Sequence, residues 1–104
     1  MKEVDLSRKI VTALRDSGAW AQKIHGSAFQ TTGLPDILGC YMGQFFGLEV
    51  KLPGKESTLT RIQGATLKSI RDAGGHADLV TSVEDAISIL ERIGIELGAD
   101  YADN

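Results

Sequence analysis

The apolar positions of this chain fall into runs whose spacing switches between a helical period and strict alternation. Leu6, Ile10, Ala13 and Leu14 recur at helical spacing and predict a helix over about Glu3 to Ser17, stopped by Gly18. Ala19 to His25 reads as a strand, with Trp20, Gln22 and Ile24 on one face and Ala21, Lys23 and His25 on the other. Two runs rich in aliphatic and aromatic residues, Asp36 to Tyr41 and Gln44 to Lys51, flank Met42-Gly43 and predict a β-hairpin. A second helix is predicted from Thr60 to about Ala73, with Gln63, Leu67 and Ile70 on one face and Gly74-Gly75 as its stop. His76 to Thr81 reads as a short strand, and Ser82-x-x-Asp85 caps a last helix whose buried stripe is Val83, Ala86, Ile87 and Leu90. Strand, helix and strand in that order predict a right-handed crossover with parallel pairing. The expectation is one α/β domain over residues 1–94, a mixed central β-sheet flanked by helices. Residues 95–104 form an acidic tail, in which Ile95, Leu97 and Tyr101 either pack on a partner subunit or fray.

The hairpin carries the chemistry. Centred on Met42-Gly43, it pairs residues whose numbers have a constant sum, so Ile37 faces Leu48 and Asp36 faces Glu49. Opposed like charges on one face of a sheet repel, which calls for a cation between them. Alternation puts Lys51 on the same face as Glu49 and sends Val50 to the other. Two carboxylates held together, with hard oxygen donors and no thiolate or imidazole cluster nearby, suit Mg²⁺ or Mn²⁺ rather than zinc. The bland alternative is an edge strand with solvated salt-bridge partners, and the Pro-Asp opposite in register argues against it. Pro35 fixes φ just before Asp36 and reads as a rigid support for the acid.

Composition narrows the picture. The 104 residues suffice for one modest core, and 42% hydrophobic with 24% charged residues excludes disordered and membrane classes. The charged start Met1-Lys-Glu-Val-Asp lacks the apolar centre of a signal peptide, so an intracellular protein is expected. Cys40 is expected as a small buried hydrophobe within its strand. The net charge of -3 argues against a general basic coat, yet the charges are segregated. Lys51, Lys55, Arg61, Lys68 and Arg71 stand against Glu56 alone, whereas residues 84–104 carry six acids and only Arg92. A polyanion would therefore approach from one side.

Gly33-x-Pro35-Asp36, twelve residues, Glu49-Val50-Lys51 and then Gln63 resemble the PD-(D/E)XK nuclease superfamily, and within it the virus-type replication-repair (VRR) nuclease domain, over about Glu3 to Leu90. The resemblance implies an αβββαβ restriction-endonuclease-like core plus a C-terminal helix. It implies a deoxyribonuclease in which Asp36 and Glu49 hold Mg²⁺ or Mn²⁺, with the Val50 carbonyl as a further ligand. Glu3 would bind metal or order the site, although on its own an acid in a first turn need only favour the helix dipole. Asp5 competes for that role but points off the apolar stripe. Gln63, otherwise a capping-box residue with Thr60, would orient Lys51 or the attacking water. Lys23 matches a basic position of the family and suggests a phosphate contact. His25-Gly26-Ser27 offers a nucleophile and a base but no orienting group or oxyanion hole, so His25 is read as a substrate contact or an exposed residue. Lys55, on a mobile connector, could touch DNA, and Arg61, Lys68 and Arg71 form a stripe that is either solvated or in contact with phosphates. Short domains of this family resemble Holliday-junction resolvases and act as dimers, which points to branched DNA as substrate and a homodimer, with no membrane partner. A non-catalytic DNA-binding module, and a nuclease for linear ends or RNA, are the alternatives.

Overall fold

The computed structural model describes residues 1–25 and 33–102; Ser27, Thr31 and Thr32 of the predicted loop, and the chain end at 103–104, lie outside the described residues. The elements run α1 (Glu3–Asp16), β1 (Trp20–Lys23), β2 (Ile37–Tyr41), β3 (Gln44–Val50), α2 (Arg61–Asp72), β4 (His76–Val80) and α3 (Val83–Ala102). The strands form one mixed sheet in the order β1-β2-β3-β4, antiparallel except for the parallel pair β3–β4. Mixed pairing follows from the connections, since a two-residue turn can only return a strand antiparallel while the α2 crossover returns β4 parallel.

The hairpin register is the one expected, with Ile37 opposite Leu48 and Tyr41 opposite Gln44. Met42 at φ 50° and Gly43 at φ 80° make the turn, both left-handed as the twist of a two-residue hairpin demands. Along β3, alternation separates two environments. Phe46, Leu48 and Val50 are fully buried with Ile37 against Leu6, Ile10 and Leu14 of α1 and Ala86, Leu90 and Ile93 of α3. Gly47 and Glu49 look the other way, towards α2. Burial of about ten aliphatic and aromatic side chains at ~1.5–3 kcal/mol each is the main term holding α1 and α3 to the sheet.

Caps fix where the helices begin. Thr60 Oγ1 accepts the Gln63 N–H at 3.1 Å and Gln63 Oε1 accepts the Thr60 N–H at 2.9 Å, closing the predicted capping box of α2. Ser82 caps α3 by accepting the Asp85 N–H at 3.0 Å, while the Asp85 carboxylate reaches back one residue further than expected, to Thr81 N–H at 2.9 Å.

Two expectations are corrected, and the connector after Lys51 takes a defined shape. The stretch expected as an acidic tail continues helix α3 to Ala102, because Ile93 and Leu97 stay in register with the core. The connector after Lys51 is a compact turn with a 3-10 helix at Glu56–Thr58, tied by Lys55 N–H to Leu52 O at 2.9 Å and Gly54 N–H to Glu56 Oε1. Cys40 is exposed, because α2 covers β3 and β4 and leaves that face of β1 and β2 open.

Candidate active site

Each side chain of the site is delivered by a feature of the backbone. The hairpin turn makes Tyr41–Gln44 the first hydrogen-bonded pair. By alternation Asp36 meets Glu49 one step beyond Ile37–Leu48, at a non-hydrogen-bonded position where opposed side chains stand closest. There the ladder ends. The next partner of Val50 would be Pro35, and the Val50 N–H instead donates to Asp36 Oδ2 at 2.8 Å. The acid is thus anchored by a main-chain donor of the strand that carries Glu49. Its own carbonyl accepts the Ile24 N–H at 2.7 Å, tying the end of β1 to the same point.

Pro35 is fully buried and sits over Gly47. A Cβ at position 47 would lie 3.0 Å from both Pro35 Cγ and Ile70 Cδ1, so the glycine makes the room that lets Pro35 press onto the sheet. Gly33, at φ 90°, packs directly on Ile62 of α2, where a side chain would overlap Ile62 Cγ2. These two glycines support Asp36 as much as Pro35 does. A glycine inside an otherwise apolar strand was the signal for Gly47.

Glu49 is 2% exposed. Its Oε1 accepts from Gln63 Nε2 at 3.2 Å and faces Lys51 Nζ at 3.9 Å, and its Oε2 is buried with no hydrogen-bond partner. Burial, then the charge of Asp36, push the Glu49 carboxyl up from 4.5 to about 8; Lys51 pulls the other way and Glu3 adds a little to the rise. At neutral pH the pair therefore keeps one proton when nothing cationic is bound. An unpartnered buried carboxylate oxygen beside a second acid is a donor set that could hold a divalent cation.

Lys51 is buried, and its N–H donates to Val80 O at 3.1 Å, so the lysine is fixed by β4 as well as by β3. Gln63 closes the expected capping box with its carbonyl, and its amide nitrogen reaches Glu49. Its partner is Glu49, and among the described residues it makes no hydrogen bond to Lys51. Glu3 lies near enough for its charge to act on Glu49. Asp5 is occupied elsewhere, accepting the Lys2 N–H at 3.3 Å and pairing with Arg8 at 3.6 Å. Among the described residues no group of three or more His, Cys, Asp or Glu is gathered as a metal cluster.

The cations divide into near and far. Arg61 opens α2 two residues before Gln63, and Lys55 is exposed in the turn after Lys51. Lys68 is held by Asp72 at 2.7 Å. Arg71, near the other end of α2, donates Nε to Ala77 O at 2.9 Å and lines a cavity with Gln44 and Arg92, at the opposite end of the sheet. Lys23 closes β1 opposite Ile37, next to Asp36, and His25 is exposed just beyond it.

The fold is restriction-endonuclease-like and is shared with solved structures. The chain is similar to a solved VRR_NUC domain, at 19% identity and a TM-score of 0.68 over 86% of this chain and 94% of that one. It is also similar to the Archaeoglobus fulgidus Hjc, a Holliday junction resolvase, at 19% identity and a TM-score of 0.60 over 76% of this chain and 67% of that one. No protein-family model and no curated protein sequence matches it.

Proposed function

We propose that this protein is a metal-dependent deoxyribonuclease that hydrolyses phosphodiester bonds in branched DNA and works as a homodimer. The observation that carries the reading is the forced meeting of Asp36 and Glu49 beside a buried lysine, with Glu49 Oε2 left unpartnered. A module that only binds DNA gains nothing from burying a carboxylate in this way, which costs several kcal/mol when uncompensated. Asp36 and Glu49 would hold Mg²⁺ or Mn²⁺, with the Val50 peptide adjoining. When bound, the ion supplies a water of lowered pKa and a Lewis acid for the phosphoryl group. Lys51 offsets the charge that develops on the phosphoryl oxygens. Gln63 fixes the Glu49 carboxylate in one orientation, and Asp36 is held by the Val50 N–H. Branched DNA is favoured by the likeness to a fold partner titled a Holliday junction resolvase. The test is cleavage of a labelled four-way junction beside its separate linear arms, with Mg²⁺, Mn²⁺ or EDTA. Paired metal-dependent cuts across the junction are expected; cutting of the arms alone would remove the junction assignment, and binding without any cutting would remove the nuclease.

Two symmetric cuts need two sites, and the sheet offers a surface for a second copy. Trp20, Cys40 and Phe45 are direct neighbours in register across three strands, on the face α2 leaves open; Trp20 is 63% and Phe45 44% exposed. Met42 extends the row at the turn. Aromatic side chains offer ~150–250 Å² each, a fair share of the ~800 Å² per partner that a stable interface buries. Phe45→Glu is expected to convert a dimer to a monomer in sedimentation equilibrium and to red-shift the emission of Trp20, the single tryptophan. A wild type that sediments as a monomer at micromolar concentration would end this part of the reading.

A further inference from the structure

The first helix carries a cationic stripe that its sequence hides. Arg8, Lys9 and Arg15 are matched in number by Glu3, Asp5 and Asp16, so the segment reads as neutral. Helical geometry sorts them. Val4, Arg8, Val11, Thr12 and Arg15 share one face of α1, and that face forms one wall of a groove of about 290 Å³ whose other wall is Gln22, Lys23 and His25. No acid lines it. Arg15 is locked in place, its Nε donating to Ala21 O at 3.0 Å and its Nη2 to Gln22 Oε1 at 3.4 Å. Among the described residues Arg8 pairs with the exposed Asp5, at 3.6 Å, a pair that water largely screens.

The groove reaches the end of the sheet that carries the site. Lys23 pairs with Ile37, the neighbour of Asp36, and Ile24 donates to the Asp36 carbonyl. Arg8 and Arg15 stand two helical turns apart, ~10.5 Å at 1.5 Å per residue. That is roughly the axial distance covered by three nucleotides of one strand at ~3.4 Å each. Cations at this spacing along a concave edge fit a nucleic-acid backbone better than a compact anion, which would draw them to one point.

We propose that the α1–β1 groove, through Arg8, Arg15, Lys23 and His25, seats the phosphodiester backbone of the strand leading into the Asp36–Glu49 site. This rests on the nuclease reading and adds to it a binding track outside the sheet's reactive end. The test is the affinity of the full chain for a fluorescein-labelled duplex and a four-way junction, by anisotropy in EDTA over a salt series. The double variant Arg8→Gln with Lys23→Gln is expected to bind about tenfold more weakly, and the slope of log K against log salt to fall by roughly 2, one for each lost phosphate contact. Arg92→Gln, at the far end of the sheet, makes the comparison for charge alone and is expected to bind like wild type. Melting curves confirm that the variants are folded; Arg15 is left intact because its bond to Ala21 O is structural. Unchanged affinity and slope in the double variant, or an equal loss in Arg92→Gln, overturns the groove while leaving the nuclease reading intact. A wild type that binds no DNA overturns both.

Discussion

Lys51→Ala is expected to lower the rate of DNA cleavage by about 10²–10³-fold, the loss typical of removing one preorganised charge-stabilising donor. Two contributions combine. The ammonium that would face the phosphoryl oxygens is gone, and so is the charge that holds down the affinity of Glu49 for its proton. The second effect weakens metal binding at neutral pH, and raising the pH reverses it; the first stays. Cleavage measured at saturating Mn²⁺ between pH 7 and 9 therefore separates them, with metal binding restored at the alkaline end and turnover still low. The fold should survive, because Lys51 holds β4 through its main-chain N–H and the side chain has Glu49 as its salt-bridge partner. Full recovery of the rate at pH 9 would show that Lys51 acts only through Glu49.

Metal binding should be linked to one proton. The Glu49 carboxyl is raised from 4.5 to about 8, chiefly by burial and then by Asp36, so between those values the folded protein keeps a proton that the unfolded chain has lost. Its stabilising effect on the metal-free fold is full below about pH 4.5, declines as pH rises, and is gone above about pH 8. The slope is at most ~1.4 kcal/mol per pH unit. A divalent cation competes with that proton. Calorimetric titration with Mg²⁺ in buffers of different ionisation enthalpy should register close to one proton released per site at pH 7, and apparent affinity should rise towards tenfold per pH unit up to about pH 8. Glu49→Gln should flatten the pH dependence of the melting temperature, keep the fold, and abolish the metal-induced thermal shift. A metal titration that releases no proton at pH 7 would mean the ion binds elsewhere.

The hairpin register was readable from sequence because a two-residue turn leaves one pairing, and that pairing alone brought Asp36 to Glu49. Helix faces were readable for the same reason, as the stripe of Leu6, Ile10 and Leu14 has a single geometric solution. What escaped was whatever depends on contacts between elements. Cys40 sits in an apolar run, and only the placement of α2 over β3 and β4 decides that its face is open. Lys68 and Arg71 share a helical stripe with Arg61, but an i,i+4 pair and a carbonyl of β4 engage them away from the site. Residues 95–104 read as a tail, and the apolar residues around Gly94 kept α3 going. The basic face of α1 escaped because a linear count of charge averages over a helix that segregates it.

Gln63 belongs to two economies at once. Its carbonyl ends the first turn of α2 and its amide nitrogen steers Glu49, so selection for a well-formed helix alone would retain it after catalysis had lapsed. Lys51 has no such second employment for its side chain, and a buried ammonium is a liability to a protein that no longer cuts. In a relative drifting towards pure binding, the lysine should be lost first and the glutamine last. A glutamine at this point of a sequence is thus a poor witness to activity, and a lysine two residues after the strand acid a good one.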